Sequence, residues 1–227
     1  MDFIQQAAND YVAHYSDATP AYLRPMYEQT LLSHPHAHLQ SNWNQGGFLS
    51  FFSKLLAPQS ILEIGTFSGF SALCLAEGLN HTGTIDTIEL RAEDANAARV
   101  HFDASPKAHQ IISHIGDAKA IIPTLHKQWD LVFIDADKTG YIEYVNLVLP
   151  MLSDKGVIIA DNVLFHGQVL ENEVVGKNAK AIHSFNEFVA NDERTEQIIL
   201  SVREMVISFE KIFLPVGNSF LQAKNIA

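Results

Sequence analysis

The sequence predicts an α/β protein with a doubly wound, mostly parallel β-sheet, N-terminal cap helices and a C-terminal antiparallel hairpin. From residue 59 onward, short and nearly continuous apolar segments alternate with longer amphipathic ones, as in parallel strands that helices cover on both faces. Two β-rich segments follow each other closely near the C-terminus, which indicates a hairpin. Of the 227 residues, 47% are apolar and 18% charged, so we expect a folded core and not a disordered chain.

Residues 1–58 are predicted to form a helical cap or dimer arm and not a domain of their own. The predicted helices are 2–16, 20–33 and 45–57. Thr19-Pro20 separates the first two and Pro58 ends the third, because proline lacks the amide hydrogen that a helix interior needs. Between them, residues 33–44 are polar and without a clear period, so an irregular loop is expected there.

Residues 59–213 are predicted to form the α/β domain. The predicted strands are 61–64, 84–89, 110–115, 130–134 and 157–160, and the helices are 70–79, 91–104, 117–127, 139–152 and 178–190. The predicted hairpin joins 197–200 to 205–213, with about four residues between the two strands. Residues 214–227 are predicted to form a C-terminal tail.

Charge and cysteine content restrict the partners and the compartment. Lys and Arg total 15 against 26 Asp and Glu, a formal charge of −11, which repels nucleic acid and anionic membranes at long range. Cys74 is the one cysteine, so an internal disulfide is excluded. The N-terminus resembles no secretory signal, and no apolar run reaches the roughly 18–20 residues of a membrane span. We therefore expect a cytoplasmic protein that binds neither nucleic acid nor membranes.

A glycine-containing loop follows the first predicted strand. In parallel sheets, ligands bind at the carboxyl ends of the strands, and Gly65 and Gly69 allow a tight turn and a close approach to a ligand. The second strand ends in Glu89, which can accept both hydroxyls of a ribose. A dinucleotide fingerprint is not present, because Phe67 and Phe70 stand where it requires glycine. A turn without any ligand remains an alternative.

Acidic residues around this loop favour S-adenosylmethionine (SAM) as the ligand. Glu63 precedes Gly65 by two residues, and a carboxylate suits the ammonium and sulfonium groups of SAM but repels a pyrophosphate. Asp117-Ala118 follows the third strand. In this architecture that position lies beside the adenine, so the Asp117 carboxylate and the Ala118 amide are candidate adenine contacts.

Two further strands end in acidic residues. Asp135 follows the fourth strand, and Asp161-Asn162 follows the fifth. If these strands are neighbours, their ends lie about 5 Å apart. Two carboxylates and an amide oxygen are hard ligands that suit Mg²⁺, with Ca²⁺ or Mn²⁺ as alternatives. The other interpretation is that these acids only cap turns or helices.

Lys138 follows the fourth strand closely and is the candidate catalytic base. A divalent cation beside Lys138 favours its neutral amine, which can then accept a proton. The same cation would orient and acidify a bound hydroxyl. The hypothesis is that Lys138 takes the proton of an acceptor hydroxyl, whose oxygen attacks the SAM methyl group. A solvated lysine at the start of a helix is the alternative.

Together these segments resemble the cation-dependent O-methyltransferases, the family of catechol and caffeoyl-CoA O-methyltransferases, and above all its small bacterial members. The resemblance lies in residues 61–71, 132–138 with Tyr141, and 159–164. It implies a Rossmann-like methyltransferase sheet and a protein that is usually dimeric. It also implies cofactor contacts from Glu63, Gly65, Thr66 and Ser71 to the methionine part, Glu89 to the ribose, Ala118 to the adenine and Asp137 to the amine. Asp135, Asp161 and Asn162 are implied as metal ligands, and Lys138 as the base.

Three other functions remain open at this point. They are a tRNA-modifying methyltransferase, which the charge of −11 disfavours, an NAD-linked oxidoreductase, and a binding module without catalysis. Residues 200–205 depart from the Leu-Pro…Asp-Gly pattern of the resembling family, and residues 41–44 match its segment over the cofactor only loosely. The expected acceptor is a small catechol-like molecule, but its identity and the position of methylation do not follow from the sequence.

Overall fold

A computed structural model describes residues 6–201 and 209–215. Its helices are α1 (Gln6–His14), α2 (Arg24–Ser33), α3 (Trp43–Leu56), α4 (Phe70–Ala76), α5 (Ala92–Asp103), α6 (Ala118–Ile121), α7 (Tyr141–Val148) and α8 (Lys177–Ala190). Its strands are β1 (Ser60–Ile64), β2 (Thr84–Glu89), β3 (Ile111–Ile115), β4 (Trp129–Ile134), β5 (Leu152–Ala160), β6 (Thr195–Ser201) and β7 (Phe209–Pro215).

The strands form one sheet in the order β3-β2-β1-β4-β5-β7-β6. The first five strands pair in parallel, and β7 pairs antiparallel with both β5 and β6. The predicted doubly wound, mostly parallel sheet with a C-terminal antiparallel hairpin is therefore confirmed. In β1, every residue from Ile61 to Ile64 is buried, as expected for a strand covered on both faces.

Two apolar layers cover the sheet, one on each face. One layer is built from α2, α3, α4 and α5 around Ile61, Phe70 and Phe133. The other is built from α6, α7 and α8 around Leu62 and Tyr141. Because strand side chains alternate between faces, neighbouring residues of β1 belong to opposite layers.

The N-terminal helices pack directly on the α/β domain. The hydroxyl of Ser53 in α3 donates to the backbone oxygen of Leu75 in α4 at 2.6 Å. The two helices touch so closely near their ends that a Cβ at Gly78 would lie 2.0 Å from the Ser53 carbonyl carbon. The predicted third helix is therefore found, beginning at the N-cap Asn42, whose side chain accepts from the Gln45 amide.

Several element boundaries differ from the prediction, mostly next to proline. The helix predicted over 117–127 is only α6, followed by a 3₁₀ turn that contains Pro123. The helix predicted over 139–152 is α7, with 3₁₀ turns on both sides, the second of which contains Pro150. Proline removes an amide donor and restricts the residue before it, so both α-helices end early.

The two ends of the chain are described only in part. The predicted strand 205–213 overlaps β7, but its first residues belong to 202–208, which lie outside the described residues. The same holds for residues 1–5 of the first predicted helix and for 216–227 of the predicted tail. Within the described ranges, the helices are too short or too polar to cross a bilayer.

Candidate functional site

A cavity of about 830 Å³ lies at the carboxyl ends of the parallel strands. Most of the predicted site residues line it: Gly65, Thr66, Ser71, Glu89, Asp117, Ala118, Asp135, Asp137, Lys138 and Asn162. Glu63 and Asp161 do not line it, although both are buried close to residues that do. The sheet topology thus brings residues that are about a hundred positions apart to one opening.

The loop after β1 forms the floor of this cavity. Gly65 has a φ of +102°, and a Cβ there would lie 2.1 Å from the backbone oxygen of Asp135. This position therefore requires glycine for its conformation and for its close contact with β4. Gly69 also has a positive φ, +84°, where the loop passes into α4. Gln40, which precedes α3, holds this loop in place, because the Ser68 hydroxyl donates to Gln40 Oε1 at 2.7 Å.

Glu89 is fixed at the end of β2 by backbone amides. Its Oε2 accepts from the Phe67 amide at 2.8 Å, and its Oε1 accepts from the Arg91 amide at 3.0 Å. Each carboxylate oxygen can accept more than one hydrogen bond. The carboxylate can therefore still accept the two hydroxyls of a ribose in the cavity.

Lys138 is held between a carboxylate and a phenol. Its Nζ donates to Asp135 Oδ1 at 3.0 Å and to the hydroxyl of Tyr141 at 2.6 Å. The Tyr141 hydroxyl in turn donates toward the backbone oxygens of Asp161 (2.9 Å) and Ile134 (3.2 Å). Burial, with nearby Asp135 and Asp161, raises the pKa of Tyr141, so this phenol keeps its proton and offers a lone pair to Lys138.

Asp161 and Asn162 follow β5 next to Asp135 at the end of β4, since β4 and β5 are neighbours. Asp161 is 1% exposed, and its Oδ1 accepts from the Asn162 amide at 2.7 Å. Asn162 Oδ1 is buried and has no hydrogen-bond partner among the described residues. A hard cation bound there would satisfy this buried oxygen and would be held by the two neighbouring carboxylates as well.

Among the described residues, no group of three or more His, Cys, Asp or Glu side chains could hold a metal. The predicted set contains two acids and one amide, so it is not such a group. His34, His36 and His38, which alternate along the chain, do not form one either, because residues 37–39 form a 3₁₀ turn and His34 pairs with Asp94 at 3.3 Å.

The family model described as O-methyltransferase matches residues 13–212. The chain belongs to the O-methyltransferase family. The resemblance found in the sequence is thereby confirmed, and the protein is a methyltransferase enzyme.

Individual relatives agree with this assignment. This O-methyltransferase is 31% identical over 163 residues to a catechol O-methyltransferase of Niastella koreensis, covering 70% of this chain and 74% of the relative. It is 28% identical over 199 residues to caffeoyl-CoA O-methyltransferase 1 of Zea mays, covering 82% and 77%. A crystal structure of an SAH-bound methyltransferase from Podospora anserina superposes with a TM-score of 0.84 at 28% identity, covering 95% of this chain and 98% of that one.

Asp137 is held inside the O-methyltransferase cavity by a tyrosine. The Tyr144 hydroxyl donates to Asp137 Oδ1, and Thr139 donates to the other carboxylate oxygen at 3.0 Å. Burial and this hydrogen bond raise the pKa of Tyr144, so the phenol remains a donor. Asp117, by contrast, uses Oδ1 to cap α6 through the Lys119 amide at 2.9 Å, and its side chain also lines the cavity.

The loop after β5 shapes the far side of the cavity. Asn162, Phe165 and His166 have φ values of 63°, 43° and 57°, a conformation that costs free energy in residues other than glycine and occurs often at functional sites. Asn186 of α8 holds the loop by donating to the Val163 backbone oxygen at 2.7 Å. Phe165 and His166 line the cavity, where they can contact an acceptor.

Sequence reasoning missed several residues that organise the site. Gln40 connects the cap to the glycine loop, Tyr144 orients Asp137, and Thr87 lies between Thr66 and Glu63. The alternation of β2 places Thr87 on the same face as Glu89, which is the one sequence signal that could have found it. Trp43 of α3 packs against Tyr27 of α2 and Phe70 of α4 and does not line the cavity.

Proposed function

We propose that this enzyme transfers a methyl group from SAM to a hydroxyl of a small catechol-like acceptor and that it requires a divalent cation. The observation that carries the proposal is the position of Lys138 Nζ, 3.0 Å from Asp135 Oδ1, in a cavity that Gly65, Glu89 and Asn162 also line. A base, a carboxylate and a nucleoside-binding loop thus share one opening. The SAH-bound relative from Podospora anserina supports the choice of SAM, because SAH is the product that SAM leaves after methyl transfer.

The cofactor contacts follow from the positions of the acids and the loop. Glu89 is proposed to accept the ribose hydroxyls, and Asp117 with Ala118 to contact the adenine. Asp137, fixed by Tyr144, and Asp135 are proposed to hold the ammonium group. The loop residues Gly65, Thr66 and Ser71 are proposed to contact the methionine part, with Glu63 behind them.

Asp135, Asp161 and Asn162 are proposed as the ligands of a divalent cation. Their donors are all oxygens, which favours Mg²⁺ over softer metals, with Ca²⁺ or Mn²⁺ as alternatives. When bound there, the cation would orient and acidify the acceptor hydroxyl. The buried and unpartnered Asn162 Oδ1 supports this assignment.

The residues of the chain supply the proton transfer. Lys138 accepts the acceptor's hydroxyl proton on Nζ, the acceptor oxygen bonds to the methyl carbon, and the sulfur keeps the electron pair of the broken bond. Tyr141 presents a lone pair to Lys138, because its own proton is directed to backbone oxygens. Phe165 and His166 would form the wall against which the acceptor ring packs.

We expect catechol methylation by the purified protein to require both SAM and a divalent cation. With SAM, catechol and Mg²⁺, chromatography should detect 2-methoxyphenol; EDTA should abolish the product, and excess Mg²⁺ should restore it. Calorimetric Mg²⁺ titration should show weaker binding for Asp161→Asn than for the matched control Asp154→Asn, whose residue is exposed on β5. Full turnover in EDTA would contradict the cation requirement, and inactivity on a panel of vicinal diphenols would contradict the acceptor class.

We also propose that residues 1–58 act as a dimer arm on the domain 59–213. Large apolar side chains are exposed on the N-terminal helices, with Leu32 at 88%, and such surfaces often mark protein interfaces. Sedimentation should therefore give twice the mass of one chain, and Leu32→Glu should shift the protein toward monomer. Val100→Glu, at an exposed position of α5, is the control. A monomeric wild type would contradict the proposal.

A further inference from the structure

The buried carboxyl of Glu63 lies in the middle of a chain of hydrogen bonds that ends in the cavity on both sides. Glu63 is 0% exposed. Its Oε1 is 2.6 Å from the Ser71 hydroxyl, and its Oε2 is 2.5 Å from the Thr87 hydroxyl, which is 2.5 Å from the Thr66 hydroxyl. Thr66 and Ser71 line the cavity, whereas Glu63 and Thr87 lie behind them.

The surroundings of Glu63 favour its neutral form. The ionisable or hydroxyl-bearing groups that act on it are Ser71 and Cys74 of α4, Thr87 and Glu89 of β2, and Asp135 after β4. In the protein without cation or cofactor, none of these groups carries a positive charge, and two are acids. Burial raises the pKa of Glu63 to about 8, against the lowering effect of the Ser71 and Thr87 hydrogen bonds.

The number of protons in this chain of hydrogen bonds determines whether the Thr66 hydroxyl can donate into the cavity. If Glu63 is ionised, Ser71 and Thr87 both donate to it and Thr66 donates to Thr87, so the hydroxyl protons all point inward. If Glu63 carries a proton on Oε2, it donates to Thr87 and Thr87 donates to Thr66. The Thr66 hydroxyl proton is then left over and can point into the cavity.

We propose that Glu63 is neutral when the enzyme binds its cofactor, and that Thr87 is a positioning residue through which Glu63 makes the Thr66 hydroxyl a donor to the cofactor carboxylate. This rests on the proposed function, because it takes SAM as the ligand. The methionine part of SAM has an ammonium and a carboxylate. Asp135 and Asp137 suit the ammonium but repel the carboxylate, so the carboxylate needs an uncharged donor on the loop side.

Cofactor affinity should therefore fall when Glu63 loses its proton. With a pKa of about 8, roughly nine in ten Glu63 carboxyls are neutral at pH 7 and one in ten at pH 9, and the apparent affinity scales with that fraction. Calorimetric titration with SAH should give a Kd ratio between pH 9 and pH 7 about tenfold larger for wild type than for Glu63→Gln. Glutamine cannot ionise, and both proteins share the titration of SAH itself.

The alternative is an ionised Glu63 that attracts the positive charge of the cofactor, for which the wild-type ratio would be no larger than that of Glu63→Gln. That result would overturn the inference while leaving the proposed function standing. Absence of SAH binding by the wild type at pH 7 would instead overturn the proposed function itself.

Thr87 provides a second and independent test. Thr87→Val removes, at nearly constant volume, the hydroxyl that connects Glu63 to Thr66. The Kd ratio for SAH between pH 9 and pH 7 should therefore fall about tenfold, to that of Glu63→Gln. Thr87→Ser keeps the hydroxyl and should restore the wild-type ratio, which a merely structural role of the methyl group would not do. A wild-type Kd ratio in Thr87→Val would overturn the inference.

The proton on Glu63 should also make the stability of the protein without cofactor depend on pH. The folded pKa of Glu63 is raised above the ordinary 4.5, so its contribution to stability is present below about pH 4.5 and is lost as pH rises through about 8. The Tm of the wild type should therefore fall relative to that of Glu63→Gln between pH 5 and pH 8. A pH-independent Tm difference would show that Glu63 is already ionised, and would overturn the inference.

Discussion

Replacing Lys138 by methionine is expected to lower kcat for the acceptor by about 10²- to 10⁴-fold, the usual contribution of a general base. Methionine keeps an unbranched apolar chain but loses the amine that contacts Asp135 Oδ1 and the Tyr141 hydroxyl. The Lys138 side chain is only 12% exposed. Solvent therefore has little room to supply a replacement base in the same position.

The measurement is steady-state methylation at saturating SAM, together with calorimetric SAH binding. SAH affinity should change little, because the proposed cofactor contacts belong to other residues. Lys155→Met, at an exposed position of β5 that does not line the cavity, should leave kcat unchanged. If Lys138→Met keeps kcat within about twofold of wild type, a factor far below that of a general base, Lys138 is not the base.

The convergence of the acids at one edge of the sheet was predictable from the sequence. Glu63, Asp135 and Asp161 each follow buried residues of a predicted strand, and parallel strands present their carboxyl ends at one edge of a sheet. The sequence argument was conditional on β4 and β5 being neighbours, and the structure shows that they are. With that condition met, the position of the site edge follows without any knowledge of the side-chain contacts.

The state of the individual side chains was not predictable in the same way. At the sequence level, Glu63 is a charge that suits a cation, but the structure buries it completely and raises its pKa to about 8. That change depends on α4 and β2 covering the carboxyl, which is a tertiary effect. Gln40 and Tyr144 likewise acquire their roles only through contacts with distant loops.

Replacing Gly65 by alanine is expected to damage the fold and the site together. A Cβ at this position would lie 2.1 Å from the Asp135 backbone oxygen, and the φ of +102° disfavours any side chain. The positive φ alone costs about 1–2 kcal/mol. The contact with Asp135 must in addition push β4 or the loop aside, which displaces Asp135 and therefore Lys138. We expect Tm to fall by at least about 2–8 °C, the shift that 1–2 kcal/mol causes in a chain of this size, and SAH binding to be lost.

The variant Gly176→Ala separates the backbone cost of a positive φ from the effect of the contact with Asp135. Gly176 also has a positive φ, +89°, but a Cβ there would meet no atom within 4 Å, so this variant suffers only the backbone cost. It should lose less in Tm than Gly65→Ala and should bind SAH like wild type. If Gly65→Ala binds SAH as tightly as Gly176→Ala does, the close approach of the glycine loop to Asp135 is not what shapes the cofactor site. If only Gly65→Ala loses binding, the cofactor site depends on that backbone contact and not on glycine flexibility in general.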